Sequence, residues 1–355
     1  MADFRETLKL MVEQGASLSR DEARRMLTQV LAGESSDVEI AALLTALATR
    51  GETADELTGF AEAMRALAVA LPLTDEERAS LVDTCGTGGD GLGTFNISTG
   101  AALVAVAAGA KVAKHGNRAV TSCCGSADVL EALGVPVTLR PEQAVECLRA
   151  TGFMFLYAPE MHPALKRVQP IRRALGFRTI FNLAGPLTNP AGAPAQVMGV
   201  YSRPRLTLAA EAMARLGVRH AFVVHGSDGL DELTVTGESR VAEVKSAGNW
   251  EQGLGNSVRL YQLIPEEAGL PRCSLDDLAG GQTAAENAAI LARIFDGEPG
   301  PRRDVVLLNA AAALVAAGVA ADMREGVARG AEAIDSGAVR ETLDRLRTFA
   351  QSHRW

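Results

Sequence analysis

Aromatic residues are scarce in this chain of 355 residues, at 4% of the sequence. Alanine and glycine are abundant instead, and this composition favours closely packed helices against a sheet over an all-β sandwich. The length is typical of two domains or one large one. Because 47% of the residues are hydrophobic, we expect a soluble globular protein with a core of normal size.

Dense runs of lysine and arginine are also absent, and the formal net charge is −8. A duplex-binding surface needs a basic stripe that displaces counterions. Nucleic acid is therefore not expected as a partner. A small anionic ligand remains compatible with the sequence, because local cations override the global charge.

The five cysteines show no paired spacing typical of a zinc site, and free thiols in a reducing cytosol account for them. Residues 1–15 are amphipathic and mixed in charge, unlike a secretory signal. The apolar runs are too short to span a bilayer. These features predict a cytoplasmic protein without a membrane segment.

The first 75 residues predict helices only. Ser19 is placed to cap a helix that ends near Gly33, Ser36 to cap one that ends at Gly51, and Thr53 to cap a third over 54–71. Apolar residues recur at three- and four-residue spacing on the second and third helices: Leu43, Leu44, Leu47, Leu57, Phe60 and Met64. Their apolar face must pack either on the same chain or on a second copy.

From Leu81 onward, apolar strands alternate with helical segments. Expected strands are 81–85, 112–116, 153–157, 195–200 and 220–226, with a short apolar segment at 137–139; expected helices are 100–110, 126–134, 141–152 and 207–218. This alternation predicts an α/β fold with a mostly parallel central sheet and helices on both faces. Residues 231–263 break the pattern as a β insertion. The tail is helical again from Thr283, with a loop at 297–301.

We therefore expect a small all-helical domain at 1–75, with a contribution from about 165–192, and an α/β domain at 76–355.

The most informative segment joins the first strand to the next helix. It contains four glycines: Gly86, Gly88, Gly89 and Gly91. Glycines allow positive φ and the close approach of backbone N–H groups to an anion. Ser98 and Thr99 follow where the helix begins, and a helix N-terminus also binds phosphate. The segment therefore has the features of a loop that binds a diphosphate.

Other interpretations of this loop remain open from the residues alone. It is equally compatible with a tight turn that binds nothing. It is not a P-loop, because no Gly-Lys-Ser/Thr follows. Gly86, Gly88 and Gly91 match the bare spacing of a dinucleotide site, but the helix begins too late for that fingerprint. Asp90 would repel a bare diphosphate, although it suits one that carries magnesium.

Four motifs in order give the chain a family resemblance. They are 86–91 with 96–99, 114–122 with 125–134, 172–182 with 185–190, and 225–226 with 229–232. Together they resemble the anthranilate phosphoribosyltransferase family, which has a nucleoside phosphorylase/phosphoribosyltransferase-like fold. The resemblance extends from the N-terminal helices to the C-terminus. It implies that residues 76–355 form a phosphoribosyl-binding domain.

The resemblance implies transfer of the phosphoribosyl group of phosphoribosyl pyrophosphate (PRPP) to the amine of anthranilate. The products would be N-(5-phosphoribosyl)anthranilate and pyrophosphate, in the second step of tryptophan biosynthesis from chorismate. Departure of pyrophosphate leaves an oxocarbenium-like ribose, so the enzyme must neutralise a polyanion and position a weak nucleophile. An aryl amine is unprotonated at neutral pH, so a strong base is not required.

Carried over by motif, one set of residues would bind PRPP: Gly86, Gly89, Asp90, Thr94, Asn96, Ile97, Ser98, Thr99, Lys114, His115, Gly116, Asn117, Arg118, Ala119, Val120, Thr121, Ser122 and Ser126. Ser98, Asp231 and Glu232 would hold two Mg²⁺ ions per monomer, since hard cations prefer oxygen ligands. Without the motif, the dipeptide Asp231-Glu232 favours a solvated pair at a strand start. Adjacent strand residues point to opposite faces, so both carboxylates can bind metal only from a loop, which Gly226 and Gly229 favour.

By the same resemblance, Gly86, Asn117 and Arg172 would bind anthranilate, with Arg172 on its carboxylate. Of the four arginines at 167, 172, 173 and 178, the other three are expected to be structural or exposed. His115 is a possible proton-transfer or substrate residue, and a structural role is about equally expected. His162 either lines the anthranilate entrance or packs at a helix start, and packing is the safer expectation.

One position departs from the family pattern: Cys123 stands where a lysine is frequent, which removes a cation near phosphate.

Two rival functions remain from the sequence. A pyrimidine nucleoside phosphorylase-like enzyme would not need the carboxylate pair, and a non-enzymatic nucleic-acid-binding relative would need a basic groove. The family expectation for assembly is a homodimer through the N-terminal helices. No membrane partner is expected.

Overall fold

The structure is a computed structural model that describes residues 3–119, 123–246 and 257–352. Within these ranges the α-helices are α1 Phe4–Gln14, α2 Arg20–Ala32, α3 Asp37–Arg50, α4 Ala54–Ala66, α5 Asp75–Ala79, α6 Ile97–Ala107, α7 Ser126–Ala132, α8 Pro141–Thr151, α9 Ala158–Met161, α10 Val168–Leu175, α11 Phe181–Ala184, α12 Arg203–Arg215, α13 Ala284–Phe295, α14 Pro301–Ala317, α15 Met323–Asp335 and α16 Ala338–Ser352. Short 3-10 helices lie at Pro163–Arg167, Gly185–Thr188, Pro265–Ala268 and Leu275–Leu278.

The N-terminal helices begin where the capping residues predict. Ser19, Ser36 and Thr53 each accept the amide of a glutamate three residues later, and that glutamate binds back to the cap. The third helix is shorter than predicted, since α4 ends at Ala66 rather than at residue 71. Leu71 is buried in the core of the α/β part, so the chain must leave the helix to reach it.

Seven strands form one sheet in the order β3-β2-β1-β4-β5-β6-β7. They are β1 Leu81–Gly86, β2 Lys111–Gly116, β3 Phe153–Tyr157, β4 Ala195–Gly199, β5 His220–Gly226, β6 Ser239–Lys245 and β7 Ser257–Leu263. The first five in this order are parallel, whereas β6 and β7 are antiparallel. The mostly parallel central sheet is confirmed.

Two details of the strand prediction need correction. The segment 231–263 contributes strands, but they extend the central sheet and begin only at Ser239, so residues 231–238 form a loop. Residues 137–139 form no strand. Val137 and Leu139 are nevertheless buried, which means that their apolar pattern reflects packing in the connection between two helices.

Successive strand residues point to two separate cores, one on each face of the sheet. In β5, Phe222 and Val224 join the core formed with α6, α13, α14, α15 and α16, whereas Ala221 and Val223 join the one formed with α12 and the N-terminal helices. The second core also contains residues of α10 and α11. The alanine-rich α14 is buried as expected. None of the helices in the described ranges combines the length and apolarity that crossing a membrane requires.

The parallel strands end at the same edge of the sheet, where the candidate residues follow them. β1 and β4 are paired through Gly86 and Gly199, the last residue of each strand. β2 ends at Gly116 and β5 at Gly226. In open α/β sheets this carboxyl edge is where ligands bind.

Candidate active site

The glycine-rich loop after β1 is held open by backbone conformations that favour glycine. Gly88, Gly89 and Gly91 have φ values of 66°, 79° and 75°. The Thr87 N–H donates to the Gly199 carbonyl at 2.9 Å, which fixes the base of the loop on β4. The loop therefore presents backbone amides at the carboxyl edge of the sheet.

The two adjacent carboxylates of the fourth motif both face this loop and the following helix. Asp231 Oδ2 accepts the Gly88 N–H at 2.7 Å, and Glu232 Oε1 accepts the Ser98 N–H at 3.1 Å. They do so from the loop after β5, where the strict alternation of a strand does not apply. The structure thus brings Asp231, Glu232 and Ser98 together.

Close packing makes two glycines necessary beside Asp231. A Cβ added at Gly86 would overlap the Asp231 carboxylate, and one added at Gly199 would overlap the Asp231 carbonyl. The backbone of the carboxylate loop therefore lies directly against the ends of β1 and β4.

The protein alone does not stabilise the two buried carboxylates as a doubly charged pair. Burial raises the pKa of Asp231 to about 7, and the nearby Asp90 carboxylate raises it further. Burial likewise raises the pKa of Glu232 to about 8, with a further contribution from the charge of Asp231. A bound cation would relieve this repulsion.

Lys114 is a buried cation beside these groups, and it is 2% exposed. Its ammonium donates to the Thr84 carbonyl and lies 3.3 Å from the Ser98 hydroxyl. Burial lowers the pKa of Lys114, while Asp83 and Glu232 act in the opposite direction. Lys114 therefore lies under the N-terminus of α6, beside the predicted metal ligands.

The donor set fits magnesium better than a soft metal. Carboxylate and hydroxyl oxygens converge from Asp231, Glu232 and Ser98. In the described part of the chain, no group of three or more His, Cys, Asp or Glu side chains is arranged to hold a metal ion. A magnesium site that the protein completes only partly, with water and phosphate oxygens in the remaining positions, agrees with both observations.

Other residues predicted to bind PRPP line the same region. Thr94 pairs with Ala279 in an isolated antiparallel bridge, and the Asn96 amide donates to the Cys124 carbonyl at 3.1 Å. The Asn96 Oδ1 is buried and has no partner among the described residues. Ile97 and Thr99 are each 1% exposed, so their side chains pack while their backbone lies at the start of α6.

The loop after β2 is tied to α7. The Ser126 hydroxyl donates to the Asn117 carbonyl at 3.2 Å, and the Ala119 N–H donates to Asp128 at 2.9 Å. A Cβ on Gly116 would overlap the Ser126 hydroxyl. Val120, Thr121 and Ser122, also predicted to bind PRPP, lie outside the described residues.

Arg118 pairs with acidic side chains of α7. Its guanidinium lies 2.6 Å from Glu131 and 3.0 Å from Asp128. These partners raise the pKa of Arg118. In this arrangement the guanidinium is engaged by carboxylates, so a contact of Arg118 with PRPP requires either its backbone or a change of partner.

His115 and His162 form a buried pair next to the site. Their ring centroids are 5.1 Å apart, and the Nε2 atom of each has no partner among the described residues. Burial lowers the pKa of His115 to about 3 and that of His162 to about 4. Both rings are therefore neutral at pH 7, which excludes His115 as a fixed cation for phosphate.

Arg172 is half-buried on α10, with its guanidinium 5.3 Å from the centre of the Phe181 ring. Burial lowers its pKa. Among the described residues it forms no ion pair with a carboxylate. The structure shows no hydrogen bond between Arg172 and Gly86 or Asn117 within those residues, so the three predicted anthranilate residues are not joined directly.

The structure adds two residues beside the candidate site. Arg178 is exposed, as expected; it donates to the Gly89 carbonyl and stacks 4.1 Å from the centre of the Tyr201 ring. Asp83 is fully buried in β1, where it accepts the His115 N–H at 3.1 Å. Burial raises its pKa to about 6. Neither contact has a local sequence signal, although an acidic residue in a buried strand is itself a reason to look for a partner.

Comparisons with known proteins agree with the motifs. The family model described as glycosyl transferase family, a/b domain, matches residues 78–340, and the helical bundle domain model matches residues 6–68. A relative from Moorella thermoacetica named anthranilate phosphoribosyltransferase is 50% identical over 96% of this chain and 97% of its own length. One of the same name from Symbiobacterium thermophilum is 49% identical over 97% of each.

Solved structures give the same result. The crystal structure of anthranilate phosphoribosyltransferase from Thermus thermophilus is 46% identical, with a TM-score of 0.87 over 97% of this chain and 99% of that one. The Saccharomyces cerevisiae enzyme in complex with PRPP and Mg is 28% identical, with a TM-score of 0.85 over 99% and 98%. The resemblance seen in the motifs is therefore confirmed, and the chain belongs to the anthranilate phosphoribosyltransferase family.

Proposed function

We propose that this transferase joins the phosphoribosyl group of PRPP to the amine of anthranilate and releases pyrophosphate, as a step of tryptophan biosynthesis. The observation that carries the proposal is the convergence at one sheet edge. Gly88 contacts Asp231, Ser98 contacts Glu232, and Lys114 lies beneath Ser98. These are the backbone amides, oxygens and cation that a metal-bound diphosphate requires.

The chain's own groups stabilise the leaving group in this reaction. The loop amides at 89–91 and that of Thr99 at the start of α6 bind the diphosphate oxygens. The amides of Gly88 and Ser98 bind the carboxylates of Asp231 and Glu232 instead. Lys114 adds a positive charge beside Ser98, at the start of α6. Because these groups are fixed before substrate arrives, they favour the developing charge of pyrophosphate without reorganising.

Asp231, Glu232 and Ser98 are proposed to hold magnesium, with two ions per monomer and Glu232 touching both. Magnesium bound there would neutralise the charge of the diphosphate. The raised pKa values of both carboxylates support this assignment, since the pair gains most from a cation.

Anthranilate is proposed to bind through Arg172, with Asn117 and Gly86 beside the reacting amine. The Arg172 guanidinium has no carboxylate partner within the described part of the chain, so its charge is available for the substrate. Arg178 supports the glycine-rich loop by donating to the Gly89 carbonyl. His115, which is neutral, is suited to accept or donate one hydrogen bond and not to bind phosphate as a cation.

The two rival functions are not favoured. A nucleoside phosphorylase-like enzyme would leave the buried pair Asp231-Glu232 without a cation to bind. A nucleic-acid-binding relative is opposed by the net charge of −8. The two relatives named above carry neither name.

The activity is tested by mixing the protein with PRPP, Mg²⁺ and anthranilate and following the loss of anthranilate fluorescence. We expect turnover only when all components are present, with one pyrophosphate formed per anthranilate consumed. Pyrophosphate release without anthranilate loss, or activity that a chelator leaves unchanged, would contradict the proposal.

We further propose the domain organisation and assembly. A helical domain at 1–75, joined by residues from about 165–192, would pack on an α/β domain at 76–355. The shared core of the N-terminal helices with α10 and α11 supports this division.

Exposed apolar residues on α1 and α3 support a homodimer through the helical domain. No disulfide bond joins the described cysteines, in keeping with a reaction in the cytoplasm.

A further inference from the structure

The loop that carries the two carboxylates is anchored by the residues around them. Leu230 and Leu233 flank Asp231 and Glu232, and both leucines are fully buried in the core shared with α14. The leucines therefore point into the core while the carboxylates between them point to the cleft. The backbone of such a loop needs other hydrogen-bond partners, because it no longer has those that a sheet provides.

Asn309 of α14 supplies that support at Leu233. Its Oδ1 accepts the Leu233 N–H at 3.0 Å, and its amide nitrogen donates to the Leu233 carbonyl at 2.8 Å and to the Val305 carbonyl at 2.9 Å. The side chain is 2% exposed. The Leu233 N–H belongs to the peptide unit that follows Glu232, so the first of these bonds fixes the orientation of that unit.

A second set of hydrogen bonds stabilises the same loop from the other side. The Asp228 carboxylate accepts the hydroxyls of Thr234 and Thr236 at 2.6 and 2.7 Å, and the Leu230 N–H at 3.1 Å. Asp228 is thus within the loop itself. Asn309 alone among these side chains comes from a helix of the core, so it ties the loop to α14.

We propose that Asn309 is a positioning residue that holds Glu232 and Asp231 in the arrangement that binds magnesium with PRPP. This inference rests on the proposed function of those carboxylates. Asn309 does not reach the cleft and touches no reacting atom. Residues that orient metal ligands in this way commonly change metal affinity by ~10- to 100-fold when they are removed.

The chain offers a matched control in Asn287 of α13. Its Oδ1 accepts the Gly281 N–H at 3.0 Å, and its amide nitrogen donates to the Gly281 and Thr283 carbonyls at 3.3 and 3.2 Å. It is also 2% exposed. Each asparagine therefore binds one loop residue and the carbonyl four residues back along the chain. The loop that Asn287 binds lies beside Thr94 but does not contain the carboxylates, so the control separates the Mg²⁺ requirement from support of the PRPP loop.

The test measures PRPP binding by titration calorimetry without anthranilate, at a series of Mg²⁺ concentrations. For Asn309→Ala we expect the Mg²⁺ concentration that gives half-maximal PRPP affinity to rise about tenfold or more. For Asn287→Ala we expect a similar fall in Tm, with a shift of less than about twofold in that concentration. Asn309→Ser serves if the alanine variant does not fold, because its hydroxyl can bind the Val305 carbonyl without reaching Leu233.

Two results would overturn the inference. One is an unchanged Mg²⁺ requirement in the folded Asn309 variant; the other is an equal shift in both asparagine variants, which would indicate a general loss of stability. The wild-type titration separates this from the proposed function. If wild-type protein binds PRPP equally well with and without Mg²⁺, the metal assignment itself fails, whatever the variants do.

Discussion

At the level of single residues, a variant of Arg172 tests whether this side chain selects anthranilate as the acceptor of the phosphoribosyl group. Arg172→Ala removes a guanidinium that pairs with no carboxylate in the described residues. We expect the KM for anthranilate to rise by about 100-fold, the order of a lost hydrogen-bonded charge pair. The KM for PRPP should change little. Steady-state kinetics with each substrate varied in turn measures both.

The neighbouring Arg173 is the control for that experiment, because it is exposed on the same helix. Arg173→Ala should leave both KM values near those of the wild type. Equal losses for anthranilate and PRPP in Arg172→Ala would indicate that Arg172 shapes the whole cleft and does not select the acceptor.

A variant that lacks the charges of Asp231 and Glu232 tests the metal site. The double variant Asp231→Asn with Glu232→Gln keeps the shape of both side chains and removes both charges. Magnesium-dependent turnover should fall by at least about 100-fold, as expected when ligands to a metal-bound leaving group are lost. Circular dichroism should show a native fold. Wild-type turnover in this variant would remove the metal assignment.

The same two side chains predict how the stability of the metal-free protein depends on pH. In the folded state their pKa values are about 7 and about 8, above the ordinary 3.8 and 4.5. The folded state therefore keeps protons that the unfolded state releases near 3.8 and 4.5. This contribution to stability is fully present below those values, declines as pH rises, and is lost once pH has passed through about 7 and about 8. His115 and His162 are neutral in the folded protein over this range.

Thermal unfolding with a chelator checks this expectation. Between about pH 7 and about pH 8.5, the free energy of unfolding of the wild type should fall by roughly 1 kcal/mol per pH unit. The double variant, which has no charge to lose at these positions, should show a flatter profile. Profiles of equal slope would mean that the two carboxylates are not the groups that titrate.

At the level of elements, the connection from β1 to α6 depends on the absence of a side chain at Gly86. Gly86→Ala would drive a methyl group into the Asp231 carboxylate. We expect the apparent Mg²⁺ and PRPP affinities to fall by about tenfold or more, because the carboxylate must move. Binding measured by calorimetry tests this directly.

Gly185→Ala is the matched change, since a Cβ there meets no atom within 4 Å and its φ is not positive. It should leave Tm and the Mg²⁺ requirement unaltered. If Gly86→Ala binds as the wild type does, the loop adapts more easily than this close packing suggests.

Elements whose limits depend on neighbouring residues were predictable, and those fixed by distant contacts were not. The caps at Ser19, Ser36 and Thr53 satisfy local amides, so the sequence alone places these helix starts. The end of α4 is decided by where Leu71 is buried, which no local pattern encodes. The loop that frees Asp231 and Glu232 from strand geometry is likewise held by a distant residue, since Leu233 binds Asn309, 76 residues away.

The candidate site shows the same division. Gly86 and Ser98 were predictable because a glycine-rich turn before a helix has a recognised chemistry for anions. Asp231 and Glu232 were assigned through the family motif, since the dipeptide alone favours a solvated pair. The role of Arg178 depends on Gly89, which is 89 residues distant in sequence, and on the Tyr201 ring. Only the folded sheet brings these groups together.

At the level of the whole molecule, the helical domain leaves apolar side chains in solvent. Val12 of α1 is 64% exposed and Val38 of α3 is 78% exposed. These valines are expected to be covered by the second subunit of a homodimer. Val38→Glu introduces a charge in the first turn of α3, where the helix dipole favours an anion, so the monomer fold should tolerate it.

In solution the wild type should therefore elute as a dimer, and Val38→Glu should move toward the monomer at equal protein concentration. Light scattering coupled to size-exclusion chromatography measures the mass of each. Leu260→Glu is the control, because Leu260 is 58% exposed but lies on β7, at the far edge of the sheet. It should remain a dimer. A monomeric wild type, or a dimer that only Leu260→Glu disrupts, would place the contact elsewhere, because burying a new charge in an apolar interface must weaken association.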